Sequence, residues 1–190
     1  MLPHNAISDA SQVAEYFAPD INDSQELQSL EQGGIAINDA SQGRQVQTWR
    51  AWIDSDVIKV SPISGSPITT LVTGSIITSV SLAFDSNMSP VVCYIEGGTL
   101  KLRWFNTLTS SFQTDSYAGA TSGRVSTDDK RKGQEGVSDV IFGYTRAGVL
   151  YWRQQRDRYA IERAVGPSGN KRLDRLGMQA KYRLQFELVD

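Results

Sequence analysis

The feature that most constrains the fold of this chain is a β-hairpin pattern that occurs three times. Its clearest copy spans residues 140–152, where the runs VIFGYT and VLYW flank a short turn that contains Gly148. Two runs rich in β-branched and aromatic residues around a Gly-containing turn are typical of a hairpin. Aligning Gly98 with Gly148 brings the segment PVVCYIEGGTLKLRW into the same register and places Tyr94 on Tyr144.

A third copy appears when Asp56 is aligned with Gly98, because Trp52 then falls on Tyr94 and the segment WRAWIDSDVIKVS matches. A short alternating run precedes each hairpin, and a further strand candidate follows it: GGIAIND and ITTLVTG, SVSLAFD and SFQTDSYAG, RVSTDDK and YAIERAVG. The sequence therefore predicts an all-β chain with three four-stranded antiparallel repeats, at about 30–74, 75–120 and 121–166.

Four strands in roughly 45 residues are the period of a propeller blade. A β-sandwich or an open barrel is the alternative, because hairpins of ordinary length also recur along such folds. Three repeats are fewer than the about four to eight blades of a propeller. We therefore expect an incomplete or three-bladed arrangement, finished by a closing segment at 167–190 or by a partner. That segment alternates apolar and polar residues from Lys181 onward, which predicts a terminal strand.

Composition narrows the possible functions. The chain has 190 residues, which suits one domain with a sizeable core. Its 19 basic and 21 acidic residues nearly balance, which argues against a specific nucleic-acid partner. The single cysteine, Cys93, lies in a strand pattern and is predicted to be a buried thiol. No stretch resembles a signal peptide or a membrane span, so we expect a soluble chain made in the cytoplasm.

Residues 1–29 differ from the repeats, because they are polar and match none of them. They permit one or two helical turns that end before Pro19. Such a segment does not fold alone, and we predict that it is an assembly arm, separate from a β domain at 30–190. Tyr16, Phe17 and Ile21 would anchor it on a neighbouring subunit. Packing of the arm against its own domain is the alternative.

The densest basic run is RQQRDR, which contains Arg153, Arg156 and Arg158 with Asp157 embedded among them. An acid within a basic run favours ion pairs with a protein neighbour over tracking of phosphates. We therefore predict that these three arginines belong to an interface and receive acids of the arm.

Residues for catalysis or metal binding are few. The only histidine, His4, lies in the arm, and neither zinc-ligand spacing nor a glycine-rich phosphate loop occurs. Asp128 and Asp129 could take a cation, or they could belong to a solvated loop. The sequence predicts no enzymatic activity, no cofactor and no metal. The four tryptophans fall on the hairpin strands and are interpreted as core or subunit contacts, with a sugar-binding platform as the alternative: Trp49, Trp52, Trp104 and Trp152.

Two runs carry a resemblance to a known group of proteins. They are RVSTDDKR followed by SDVIFGYTRAGVLYWRQQRDR, and the closing LGMQAKYRLQFEL. In these runs, over about residues 75–190, the chain resembles small virion proteins encoded among the tail genes of tailed bacteriophages. The resemblance implies a structural component of the particle, in the tail, tail tip or neck, with a location in the virion after synthesis in the host bacterial cytoplasm.

Two functions follow as expectations. The first is a non-enzymatic structural subunit that contacts other copies of itself and other virion proteins through its arm and its edges. The second is a receptor- or sugar-binding β module on the tail tip or the capsid surface. Burial of the tryptophans would favour the first, and two or more tryptophans in one open groove would favour the second. We expect Trp152 to be part of the core, on the same side as Leu150, or at least to be packed beneath a neighbouring unit.

Overall fold

The structure is a computed structural model that describes residues 35–37, 48–62, 67–85, 87, 89–128, 139–179 and 183–190. Within these ranges the chain forms fourteen β-strands and one 3-10 turn at Gln155–Asp157, and it has no α-helix. The all-β class predicted from the hairpin pattern is confirmed. The described residues also include no helix that is long and apolar enough to cross a membrane.

The strands form three four-stranded sheets and a two-stranded ribbon, each an antiparallel meander in chain order. Sheet I consists of β1 (Ile35–Ile37), β2 (Thr48–Asp54), β3 (Val57–Pro62) and β4 (Thr69–Thr73). Sheet II consists of β5 (Ile77–Phe84), β6 (Pro90–Glu96), β7 (Thr99–Asn106) and β8 (Ser111–Tyr117). Sheet III consists of β9 (Ala120–Asp128), β10 (Asp139–Arg146), β11 (Val149–Gln154) and β12 (Arg163–Pro167). The ribbon pairs β13 (Arg172–Gln179) with β14 (Arg183–Val189).

The central hairpin of each sheet closes with the same two-residue turn. The pairs that flank the turns are Asp54 with Val57, Glu96 with Thr99, and Arg146 with Val149. The two residues between each pair all have positive φ, as a type I′ turn requires: Ser55 and Asp56, Gly97 and Gly98, Ala147 and Gly148. Asp56, Gly98 and Gly148 are therefore equivalent, and Trp52, Tyr94 and Tyr144 occupy the same place in their hairpins, as the alignment predicts.

Sheet II lies between the other two sheets. Alternation along its strands gives it two apolar faces. One face packs on sheet I in a core that includes Ile58, Val60 and Leu82. The other packs on sheet III around Leu102 and Phe142. Sheets I, II and III are therefore consecutive layers of one structure.

The ribbon forms a fourth layer on the far face of sheet III. An added Cβ at Gly143 of β10 would lie 3.0 Å from Leu173, 3.2 Å from Phe186 and 3.3 Å from Leu176. A side chain at this position would therefore crowd the ribbon, and glycine avoids this. The backbone N–H of Leu173 donates to Ser122 Oγ at 2.8 Å, which joins the ribbon to β9. The terminal strand predicted from residue 181 is present as β14, and its partner is β13, which the alternation did not reveal.

Trp152 departs from its predicted place in the core. Its hairpin equivalents, Val60 and Leu102, are 3 % and 0 % exposed. Trp152 shares a face with buried Leu150, as expected, but it is only half-buried. The reason is coverage, because Val60 and Leu102 each face a complete four-stranded sheet, whereas Trp152 faces a ribbon of two strands.

Candidate functional site

A cluster of polar side chains surrounds Glu162, in the irregular segment between the 3-10 turn and β12. We call it the Glu162 cluster, and it consists of Tyr144, Arg146, Arg153 and Glu162. Tyr144 and Arg146 are on β10, and Arg153 is on β11. In the β10–β11 register Arg146 pairs with Val149 and Phe142 pairs with Arg153, which places all three side chains on the face toward sheet II.

Glu162 accepts contacts from all three partners. The Tyr144 hydroxyl donates to Glu162 Oε1, Arg153 Nη2 donates to the same oxygen at 3.1 Å, and Arg146 Nη2 donates to Oε2 at 2.6 Å. Arg153 also donates to Tyr144 OH at 3.0 Å and to the carbonyl of Tyr159 at 2.6 Å. The carboxylate and the two guanidinium groups thus fasten the segment before β12 to the central hairpin.

The cluster fixes the protonation state of its members. Burial, and next the hydrogen bond to Glu162, raise the pKa of Tyr144 to about 12. Burial acts to raise the pKa of Glu162, but hydrogen bonds from Tyr144 and Arg153 and the charge of Arg146 outweigh it and lower that pKa. At neutral pH the cluster therefore holds a neutral phenol, a carboxylate and two guanidinium cations. Tyr144 is fully buried, so its hydroxyl acts as a structural donor.

Of the predicted interface residues, the structure describes the three arginines. Arg153 lies in the Glu162 cluster with a side chain 16 % exposed, and it forms an ion pair with Glu162 of its own chain. Arg156 belongs to the 3-10 turn, and Arg158 follows it with a positive φ of 55°. Both are exposed. The structure thus separates Arg153 from the other two, although they are near neighbours in sequence.

The predicted arm residues Tyr16, Phe17 and Ile21 lie outside the described residues, as does Asp129 of the charged loop. In the part of the chain that the structure describes, no group of three or more His, Cys, Asp or Glu side chains is placed to hold a metal ion.

The tryptophans do not share one surface. Trp104 is buried, donates to Asp115 Oδ2 at 2.8 Å and contacts Tyr159 edge to face. Trp49 packs against the core between sheets I and II. Trp52 is half-buried on the face of sheet I that points away from sheet II, and Trp152 is half-buried on the ribbon side of sheet III. The two half-buried rings are therefore on different layers.

An arginine guanidinium lies over each of the two half-buried tryptophan rings. The Arg50 guanidinium carbon lies 5.1 Å from the centroid of Trp52, and that of Arg163 lies 4.8 Å from Trp152. Arg163 Nη2 is also 2.7 Å from Asp157 Oδ2 of the 3-10 turn. Trp152, Arg163 and Asp157 thus form a continuous, partly exposed row beside the basic run, which spacing in sequence did not indicate.

One further contact joins two layers through buried polar groups. Asp85, at the end of β5, is 2 % exposed and accepts the backbone N–H groups of Asn87 and Ser89 at 2.9 and 2.8 Å. Gln155 of the 3-10 turn donates to its other oxygen at 3.0 Å. The turn that carries the basic run is therefore held against sheet II.

Comparison of the chain with known protein families, with curated protein sequences and with solved structures finds no match.

Proposed function

We propose that this chain is a non-enzymatic structural subunit of a tailed bacteriophage particle, associated with the tail, tail tip or neck. The observation that carries the proposal is the position of the two runs on which the resemblance to tail-gene virion proteins rests. They coincide with β9, β10, β11 and the 3-10 turn, and with most of the ribbon. At least part of these runs joins layers, since Leu176 and Phe186 of the ribbon pack against Gly143 of sheet III.

The arrangement of the layers supports an incomplete propeller. The first strand of each layer contacts the first strand of the next, from β1 to β5, β9 and β13. Adjacent blades of a propeller meet along the strands nearest the axis, and the fourth strand of a blade is outermost. The outermost strands here, β4, β8 and β12, carry the most exposed positions. We propose that the three sheets are blades and that the ribbon begins a fourth.

In this role the chain contacts other copies of itself and other virion proteins. The acids of residues 1–29 and the exposed arginines of the basic run provide complementary charge for such contacts. A structural subunit needs fixed layers, and the Glu162 cluster contributes to this by fastening the segment before β12 to the central hairpin of sheet III.

The test is the presence of the protein in purified particles. Particles from infected cells are separated on a density gradient, and the protein is quantified in each fraction. We expect a fixed copy number per particle, and antibody labelling or an electron-microscopy map should place it at the tail or neck. Recovery of the protein only in the soluble fraction would contradict the proposal. Binding of the purified protein to host envelope or sugars, without incorporation, would favour the receptor-binding module.

Removal of residues 1–29 sharpens this test. The truncated chain should be folded and monomeric and should fail to enter particles, because the arm is predicted to hold a neighbour. Circular dichroism and the mass in solution check folding separately from incorporation. Normal incorporation of the truncated chain would show that the arm is not an assembly element.

A further inference from the structure

Three equivalent strands, β4, β8 and β12, are the last in their sheets and therefore lie at an edge. Native proteins usually block strand pairing at such edges with bulges, prolines, basic side chains or short strands. The pairing of β4 with β3 and the pairing of β12 with β11 are each interrupted by a register shift. In addition, β4 has only five residues, and β12 contains Arg163 and Pro167. Two of the three edges are thus protected.

Strand β8 differs from both, because it is long and regular. Its seven residues pair with β7 without a register shift and include no proline, lysine or arginine. Its one acid, Asp115, accepts a hydrogen bond from Trp104 Nε1 at 2.8 Å. Among the described strands, β8 pairs with β7 alone and has extensive contact with no other strand. Its outer edge therefore presents backbone N–H and C=O groups without a strand partner.

The surface beside this edge is aromatic and positively charged. On the face of sheet II toward sheet I, Phe112 is 40 % exposed and contacts Phe105 edge to face. The Arg103 guanidinium carbon lies 4.8 Å from the Phe112 ring centroid, and Arg103 forms no ion pair within the described residues. This guanidinium reaches from β7 to β8, so it lies about one strand spacing from a strand added at the edge.

We propose that the edge of β8 accepts an extended segment of another virion protein as a fifth strand of sheet II. The segment forms backbone hydrogen bonds with β8, places an apolar side chain beside Phe112 and directs a carboxylate to Arg103. In strand addition, the backbone supplies affinity and alternate side chains supply specificity. The origin of the segment in the particle rests on the proposed function, whereas the free edge of β8 does not.

A second copy of β8 is a poorer occupant because of its charge. Antiparallel pairing of two identical strands has a two-fold axis perpendicular to the joined sheet, so both faces toward sheet I lie on the same side. On that face the second copy would offer Phe112, Thr114 and Ser116, none of which is acidic. Asp115 would lie on the opposite face. Arg103 would then remain without a counter-charge, whereas a different protein can supply one.

Hydrogen exchange of the unmodified chain tests the inference. Exchange is measured by mass spectrometry for the purified chain and for the chain in purified particles. We expect 111–117 to exchange at least about tenfold more slowly in particles, and the protected edges at 69–73 and 163–167 to change less than about twofold. If the chain is present in particles but β8 exchanges as fast as in solution, the inference is overturned and the proposed function stands. Absence of the chain from particles would overturn both.

Photo-crosslinking identifies the occupant of the edge. Full chains carry p-benzoylphenylalanine at Thr114 of β8 or, as the control, at Thr70 of β4, and both positions are exposed. In irradiated particles that contain these chains, we expect Thr114 to crosslink to one segment of one other virion protein. That segment should contain an acid and an apolar residue at alternate positions. Crosslinks to another copy of this chain, the same crosslinks from Thr70, or none from Thr114 would overturn the inference.

Charge reversal at Arg103 supplies a further measurement. Arg103→Glu should reduce the yield of the Thr114 crosslink per incorporated chain about threefold to tenfold, because repulsion replaces attraction. Arg50→Glu is the matched control, since Arg50 also lies over an aromatic ring, at 5.1 Å from Trp52, and it should leave the yield unchanged. Arg103→Gln, which removes the charge without reversing it, should give an intermediate yield. Equal yields for the Arg103 and Arg50 variants would show that no acid of the partner faces Arg103 and would contradict the proposed partner.

Discussion

Two contacts between layers can be compared: sheet II with sheet III, and sheet III with the ribbon. Both use a glycine and a serine hydroxyl, but the covering layer has four strands in the first and two in the second. Each has a glycine where the layers approach most closely, Gly123 in the first and Gly143 in the second. Each also has a serine hydroxyl that accepts a backbone N–H of the next layer, Ser81 from Val125 and Ser122 from Leu173. The same local contacts therefore occur between both pairs of layers. The burial of the apolar side chains between the layers, however, depends on how many strands the next layer contributes.

The largest expected difference between the two contacts concerns their equivalent apolar side chains. Leu102→Ala should reduce the free energy of unfolding by about 2–5 kcal/mol, because it opens a cavity in a complete core. Trp152→Ala should cost the isolated chain only about 1–2 kcal/mol despite the larger side chain, since Trp152 is only partly buried. Chemical denaturation of both variants measures this difference. A greater loss for Trp152→Ala would show that the ribbon covers its layer as completely as a sheet does.

The two glycines test how closely the layers approach. An added Cβ at Gly123 would lie 2.5 Å from Cys93 Sγ and 2.8 Å from Leu100 Cδ1, so Gly123→Ala must displace buried side chains. Its expected cost is about 1–3 kcal/mol. Gly143→Ala meets its nearest atom at 3.0 Å and should cost less. Thermal melts of the two variants check the order, and equal costs would mean that the ribbon is packed as rigidly as sheet II.

The two serines should differ in how far the effect of their loss spreads. Ser122→Ala leaves the buried N–H of Leu173 without its acceptor and should cost about 1–2 kcal/mol. We expect faster hydrogen exchange confined to 172–189, because the described strands of the ribbon contact mainly sheet III. Ser81→Ala should speed exchange in both sheets II and III, since they share one core. If hydrogen exchange in the Ser122→Ala variant became faster equally in all layers, the ribbon would not loosen independently of the sheets.

The smallest expected effect is a pH dependence in the Glu162 cluster, whose side chains lie on the face of sheet III toward sheet II. The pKa of Tyr144 is raised to about 12, from about 10 when unfolded. A raised pKa gives stability that is complete below the unfolded value and is lost as pH rises through the folded value. Stability should therefore decline between about pH 10 and 12, and Tyr144→Phe should make this decline shallower. Unfolding by urea across this pH range measures it, with Tyr151→Phe as the control.

Much of the fold could be predicted from the sequence because its hairpins follow a strict rule. A two-residue type I′ turn needs positive φ at both positions, which glycine adopts without strain. Gly98 and Gly148 therefore identified equivalent turns, and alternation on either side of them indicated the strands. Asp56 also tolerates this conformation, so the third hairpin could be aligned although it lacks a glycine.

The ribbon could not be predicted for a physical reason. The register of β13 shifts between Leu173 and Arg175, so Leu173 and Leu176 face sheet III although they are three residues apart. Such a bulge breaks the two-residue period on which strand prediction depends. Without β13, the closing strand had no visible partner, and the incomplete cover over Trp152 could not be anticipated.

The Glu162 cluster also could not be predicted from the spacing of its residues in the sequence. The sequence suggested Arg153 as an interface residue and gave no reason to connect it with Tyr144 or Glu162. Their contact depends on the 3-10 turn and on Arg158 and Tyr159, whose positive φ values redirect the chain before β12. Irregular backbone of this kind leaves no periodic pattern in the sequence. Only the structure therefore shows that this segment brings the Glu162 carboxylate back to the hairpin.

The close approach at Gly123 also has a chemical consequence for the cysteine beneath it. Cys93 is buried between sheets II and III, and desolvation raises the pKa of its thiol to about 12. Because the thiolate is the reactive form, alkylating reagents can reach this sulfur only when the two sheets separate. The rate at which Cys93 is alkylated in the native protein therefore measures how often sheets II and III separate. It reports on the opening of the central core with no probe added to the chain.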